Sequence, residues 1–225
     1  MQSNLDEKLN ISHKIIESIY NSDDYRRLVD WLNSLHDLPT IIFSGVGKNW
    51  YICEKEVKTY ISMGIHSASL DCTHALHGDL GMLMDPNEQK VLIFVSKSGT
   101  TTEMINLLNI IKDLISKNII KNIVLVGLSM NPMYHSYEKY NQLFDFVLAP
   151  NPKDFNDDSW RTEFDSRNLI PSLSINSTQL VLDLLGIEIY ENRPLLVDQY
   201  RYNHLGGNNG RILGMSNYVD KMTNI

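Results

Sequence analysis

Apolar residues follow two rhythms along this chain, and the rhythms alternate. Short unbroken apolar runs occur at 40–45 (TIIFSG), 91–96 (VLIFVS), 122–129 (NIVLVGLS) and 145–150 (DFVLAP). Runs of that length, rich in Val, Ile and Phe, fit strands buried on both faces. A weaker run lies at 66–71 (HSASLD). Between them, apolar residues recur every three or four positions, which predicts helices at 49–63, 102–117, 173–185 and 193–202. Upstream, Leu5, Leu9, Ile15, Ile16, Ile19 and Tyr20, then Leu28, Trp31, Leu32 and Leu35, predict one or two further helices. Gly186 follows the 173–185 pattern directly and reads as a C-terminal cap. Such alternation implies an α/β fold: one five-stranded parallel sheet with helices on both faces.

Two segments break the rhythm. Residues 73–83 are short and mixed. Residues 151–168 (NPKDFNDDSWRTEFDSRN) are polar and lack periodicity. In an α/β fold a polar loop after a strand's carboxyl end lies on the ligand side. The alternative is a solvated surface loop, although loops of that length are uncommon without a role.

Composition narrows the class. The 225 residues fit one domain, with N-terminal helices in 1–38 and a core over 39–213. The 43% hydrophobic content suffices for a sizeable core. A net charge of −7 without a long basic block argues against nucleic-acid and anionic-membrane partners. Any bound phosphate must therefore be held by local groups. Two cysteines exclude a disulfide scaffold and point to a reducing compartment. The polar N-terminus has no signal pattern, and no apolar run approaches the ~20 residues that span a bilayer. The expectation is a soluble cytoplasmic protein.

Four stretches could carry chemistry. SKSGTTTE (96–103) joins a strand to a helix. The first amides of a helix lack internal partners and carry partial positive charge. Hydroxyls and a glycine beside them make an anion cradle suited to phosphate. The competing reading is a plain cap, with Ser98 or Thr100 capping the helix and Glu103 closing a capping box. SGVGK (44–48) is a second glycine turn that matches neither the P-loop nor the dinucleotide fingerprint. Its Lys48 either meets an anionic substrate or faces solvent. In DCTHALHGDLGM (71–82), Cys72, His74, His77 and Asp79 raise the question of a metal, but the spacing fits no common zinc pattern. No metal site is expected. NHLGGNNGR (203–211) places His204 in a glycine-rich loop.

In order, GVGK (45–48), HGDLGM (77–82), SKSGTTTE (96–103), TEFDSRNLIPS (162–172) and HLGGNNGR (204–211) resemble the sugar isomerase (SIS) domain. Within it they are most similar to arabinose 5-phosphate isomerases, whose motifs run GMGKSG, HGDLGM, SNSGES or SASGES followed by Glu, KEACPLGLAPT and HPGGALGR. The resemblance spans roughly 40–213, and HGDLGM is identical. It implies a three-layer, flavodoxin-like or Rossmann-like sandwich. It implies isomerisation of D-ribulose 5-phosphate and D-arabinose 5-phosphate through an enediol, without cofactor. Position by position, Lys48, His77, Glu103, Glu163 and His204 fall on the family's active-site positions, with Glu163 slightly favoured as carbon base. Ser96, Ser98 and Thr101 fall on the phosphate-cradling hydroxyls, and Lys97, Gly45 and Gly47 belong to the same phosphate-binding surface. The family implies a homotetramer or homodimer with shared sites.

The departures are specific. Trp50 follows the lysine turn, and His74 stands where the family often has Glu. Lys97 adds a charge, Thr100 replaces an acid, and Leu205 replaces a proline. The expectation is a stand-alone isomerase domain, without the paired regulatory modules that many family members carry. Two rival readings follow: an isomerase of another sugar phosphate, or a sugar-phosphate-binding regulator without turnover.

Overall fold

The computed structural model describes residues 2–136, 142–155 and 158–215. Two helices, α1 (Gln2–Tyr20) and α2 (Asp23–Ser34), precede the first strand. Then come β1 (Thr40–Gly45), α3 (Lys48–Ser62), β2 (Ser67–Ser69), β3 (Lys90–Ser96), α4 (Thr102–Ser116), β4 (Ile123–Ser129) and β5 (Phe146–Leu148). Helices α5 (Leu173–Glu191), α6 (Pro194–Asn203) and α7 (Gly207–Ile212) follow. The five strands form one parallel sheet in the order β2-β1-β3-β4-β5.

Register sets the layers. Ile41 pairs with Val91 and Ile42 with Leu92, so alternate residues point to opposite faces. One face carries Ile41, Phe43, Val91, Ile93, Val95, Val126 and Leu128, covered by apolar residues of α1, α2, α3 and α5. The other carries Ile42, Leu92, Phe94, Leu125 and Val147, covered by α4 and by Leu70, Cys72, Ala75 and Leu83. The result is three layers, as the alternating rhythms imply.

The strand order fixes where a ligand can sit. The chain leaves β1 toward one edge of the sheet and leaves β3 toward the other. A crevice therefore opens between the carboxyl ends of β1 and β3, the switch point where open α/β sheets bind ligands. Both glycine turns, 45–48 and 96–101, leave strands at that crevice.

Two stretches differ from the expectation, and a third, left without an assignment by its mixed pattern, takes a definite form. Helix α5 does not stop at Gly186 but runs on to Glu191. A Cβ at Gly186 would sit 2.7 Å from the Tyr60 ring and 2.8 Å from Met63, so the glycine lets α3 and α5 pack closely and is not a cap. The glycine-rich 203–211 loop folds in part into α7. Residues 73–83 form two 3-10 turns, Ala75–His77 and Asp79–Leu83.

The polar segment after β5 is ordered by bonds that periodicity does not show. Asn168 Oδ1 accepts the Glu163 amide at 3.0 Å, and Asp165 accepts the amides of Arg167, Leu169 and Ile170. From α1, Lys8 Nζ donates to the carbonyls of Glu163 (2.7 Å) and Phe164 (3.0 Å). Trp160 is buried beneath. Polar side chains here satisfy backbone groups that would otherwise be stranded.

Candidate active site

The loop between β3 and α4 holds its shape through its own hydroxyls. Ser96 Oγ pairs with Thr101 Oγ1 at 2.8 Å and accepts the Gly99 amide at 3.1 Å. Ser98 Oγ accepts from the amide of Thr100 (3.1 Å) and from its hydroxyl (3.0 Å). Thr101 is the N-cap, yet its side chain makes no cap bond, and Glu103 is exposed and closes no capping box. Among the described residues, no acceptor meets the amides of Thr102, Glu103 and Met104. Those are the donors that the partial positive end of α4 offers an anion.

A second set of residues, which the sequence reading passed over, carries this loop from below. At the end of β4, Ser129 Oγ donates to the Lys97 carbonyl at 3.1 Å. Asn131 Nδ2 donates to the Ser98 carbonyl at 3.1 Å. Gly99 has φ +75°, and a Cβ there would lie 2.3 Å from the buried Tyr134 ring. The glycine is thus required twice, by backbone sign and by the ring against it. The small polar residues just past β4 were the available signal for this support.

Across the crevice, Gly47 caps α3 with φ +62°. A Cβ on Gly45 would stand 3.1 Å from Asn49, so Gly45 serves the close approach of β1 and α3. Lys48, the first residue of α3, is exposed, and its Nζ donates to the Pro171 carbonyl at 3.1 Å.

Glu163 completes this side of the site. It is fully buried, and its carboxylate meets five donors. Oε1 takes the Lys97 ammonium at 2.5 Å and the Ser174 hydroxyl. Oε2 takes the Ser172 amide at 2.7 Å, the Ser172 hydroxyl at 3.2 Å and the Ser174 amide at 3.3 Å. Two of these are amides at the start of α5, where a carboxylate is favoured. Burial works against its charge, but Lys97, Ser174 and Ser172 outweigh it and hold the carboxyl below the usual glutamate range. The Lys97 ammonium also lies 3.4 Å from the Arg161 carbonyl. Three ammonium groups, Lys8, Lys48 and Lys97, thus grip the 161–174 segment within an acidic chain.

His77 and His204 stand apart from this group. His77 is exposed on the Ala75–His77 turn beyond β2, on the same edge of the sheet. His74 Nδ1 pairs with Asp71 at 3.1 Å, and Cys72 is buried against Ser44 at 3.1 Å. Among the described residues no three His, Cys, Asp or Glu side chains converge on a metal position. His204 lies at the opposite edge: its neighbour Asn203 donates to Ser62 O at 3.2 Å, at the far end of α3. Helix α3 has 15 residues, so His204 lies about 20 Å from Lys48 of its own chain. The His204 ring stacks on Tyr200 at 4.0 Å, and Nδ1 lies 3.0 Å from the Tyr200 carbonyl. A carbonyl only accepts, so Nδ1 is the donor in this contact, and in the neutral ring the lone pair lies on Nε2. A cavity of about 450 Å³ also lies away from the hydroxyl loop, lined by His36, Gly64, His66 and Arg193.

Arabinose 5-phosphate isomerase KdsD of Pseudomonas aeruginosa is 29% identical over 173 residues, 77% of this chain and 46% of that protein. A putative phosphosugar isomerase involved in capsule formation from Bacteroides fragilis superposes with a TM-score of 0.70 at 21% identity, covering 90% of this chain and 94% of the other. The chain has the sugar isomerase fold and is related in sequence to arabinose 5-phosphate isomerases. An Escherichia coli CFT073 protein in complex with arabinose 5-phosphate shares that fold at a TM-score of 0.62 and 24% identity, covering 84% of this chain and 89% of the other. So does the sugar isomerase domain of an RpiR transcription factor from Sphaerobacter thermophilus, at 0.57 and 15%, covering 89% and 96%. This chain spans about half the length of the curated relatives it matches. No family model matches it. No helix among the described residues is long and apolar enough to cross a membrane.

Proposed function

We propose that the chain is an aldose–ketose isomerase of phosphorylated sugars, interconverting D-ribulose 5-phosphate and D-arabinose 5-phosphate. The observation that carries this reading is the arrangement at one sheet edge. The α4 amides and the hydroxyls of Ser96, Ser98 and Thr101 lie in the turn after β3, Lys48 lies in the turn after β1, and both turns are tied to one segment, Lys48 through Pro171 and Lys97 through the buried Glu163. The phosphate sits on the amides and hydroxyls, where it supplies binding energy away from the reacting carbons. Gly47, with open space where a Cβ would stand, keeps the opposite turn low enough for the sugar to pass, and Gly45 seats that turn by letting β1 and α3 approach. Lys48 stabilises the negative oxygen of the enediolate.

Isomerisation needs one base that moves a proton between neighbouring carbons, and an acid for the oxygens. Glu163 and His204 are the acid–base set, and His77 positions hydroxyls. The geometry shifts the weight between the first two. A carboxylate has about four lone-pair sites, and five donors already occupy those of Glu163. His204 commits only Nδ1, to the Tyr200 carbonyl, which leaves Nε2 for base work in the neutral ring, but it lies at the wrong edge of its own chain. The carbon base in this reading is therefore His204 of a second copy, and Glu163 orders the site around it. Residues 163–170 expose Phe164, Leu169 and Ile170, and Leu5 and Leu9 are exposed on α1. Apolar groups so placed suit burial against that second copy, in a dimer or tetramer. Glu103, exposed in the first turn of α4, is in this reading available to a neighbouring copy.

An assay of purified protein with ribulose 5-phosphate, with the product identified by NMR, tests the reading. Arabinose 5-phosphate is the expected product. A different aldose would keep the mechanism and change the substrate. Binding of pentose phosphates without turnover would favour a regulator, a role that the shared fold of the transcription-factor domain makes concrete.

A further inference from the structure

Lys97 is the departure that the sequence leaves unexplained, and the structure gives it a partner. It sits inside the hydroxyl loop, where a lysine is expected to reach for the phosphate. Instead its ammonium turns to Glu163 Oε1 at 2.5 Å, with the Arg161 carbonyl at 3.4 Å. The lysine side chain is 22% exposed and the glutamate 0%. Its own carbonyl is tied to Ser129. The residue thus bridges three parts of the site: the β4 end, the phosphate loop and the segment that carries Glu163.

We propose that Lys97 is a positioning residue that fixes the Glu163 carboxylate and pins the 161–174 segment to the phosphate loop. The inference rests on the isomerase reading for its consequence, though not for its geometry. Of the five donors on Glu163, four come from Ser172 and Ser174, and the fifth is the charged one. A buried carboxylate without a counter-charge favours its neutral form. A neutral Glu163 must also find an acceptor for its proton, which of its five partners only the Ser172 and Ser174 hydroxyls could provide, by turning their own protons away. Removing Lys97 therefore both loosens the segment and discharges the carboxylate. Lys97 has this task, and the α4 amides and hydroxyls have the phosphate.

The test pairs Lys97→Met with Lys97→Arg and reads Glu163 directly by carboxyl-carbon NMR across pH. In the wild type, Glu163 should titrate below the usual glutamate range. In Lys97→Met its midpoint should rise by at least about one pH unit, the scale of a lost contact ion pair. Lys97→Arg should restore it. Affinity for inorganic phosphate, by calorimetry, should change less than ~3-fold, while kcat for the pentose phosphate falls at least ~10-fold. An unmoved Glu163 midpoint overturns the proposal. So does a loss of phosphate affinity with kcat intact, which would make Lys97 a phosphate ligand. A wild-type Glu163 that titrates above the usual range overturns it too, and that measurement needs no variant to fold. If the wild type isomerises no pentose phosphate, the functional reading fails, while the titration and phosphate arms still decide the role of Lys97.

Discussion

Replacing Gly99 with alanine puts two separate demands on the phosphate loop. The residue has φ +75°, where an L side chain costs roughly 1–2 kcal/mol. The new Cβ also lands 2.3 Å from Cδ2 and Cε2 of Tyr134. That ring cannot swing away freely, since it is 1% exposed and packs 6.1 Å from the Phe144 ring, centroid to centroid. Overpacking of this kind costs about 1–3 kcal/mol, so Gly99→Ala should lose about 2–5 kcal/mol in all. For a chain of this size each kcal/mol lowers Tm by roughly 2–4 °C. A thermal or urea unfolding series measures the loss, and calorimetry with inorganic phosphate shows whether the cradle moved with it. The two demands separate in a double-mutant cycle with Tyr134→Ala, where only the backbone demand survives, about 1–2 kcal/mol. Wild-type stability in Gly99→Ala would refute the reasoning. So would an equal loss in both backgrounds, because it would remove Tyr134 from the account.

Four further predictions follow from other parts of the chain. Gly186→Ala should gain roughly 1 kcal/mol of helix propensity but lose about 1–3 to the clash with Tyr60 and Met63, so unfolding experiments should find a net loss. Ser98→Ala should raise KM several-fold with little change in kcat, as expected if the loop binds and does not react; steady-state kinetics decide it. Lys48→Met should lower kcat by roughly 10²-fold while phosphate affinity persists, as measured by turnover and calorimetry. Glu56, buried between α3 and α5, has its carboxyl pushed up to about 8, by burial first and by Asp183 second. Its folded value lies above the unfolded one, so the folded state binds the extra proton between about pH 4.5 and 8. Stability should fall as pH rises through that window, and Glu56→Gln should flatten the fall in unfolding curves taken at several pH values.

The rhythms of the sequence were enough for the sheet and its layers, because a strand buried on both faces has no polar alternation to confuse it. Gly186 was misread for a physical reason: a glycine at the end of an apolar pattern suits a cap and a close helix contact equally, and only Tyr60 distinguishes them. The hydroxyl loop was legible as an anion cradle, yet its supports, Ser129, Asn131 and Tyr134, lie some thirty positions away and share no local pattern with it. Glu163 could be picked out by resemblance, but its partners Lys97, Ser172 and Ser174 come together only in three dimensions. The position of His204 is the plainest case: nothing in HLGGNNGR says which end of the sheet it reaches, and Asn203 on Ser62 decides it.

The isomerase site proposed for this chain is built from two copies of it. Subunit complementation can decide whether two copies share it. Lys48→Met and His204→Ala remove groups from opposite edges of one chain, so each variant alone should be nearly inactive on ribulose 5-phosphate. When the two are co-expressed, mixed oligomers pair an intact Lys48 with the partner's intact His204, and activity should return. If the wild type is active and the mixture stays as inactive as either variant alone, the shared site is contradicted.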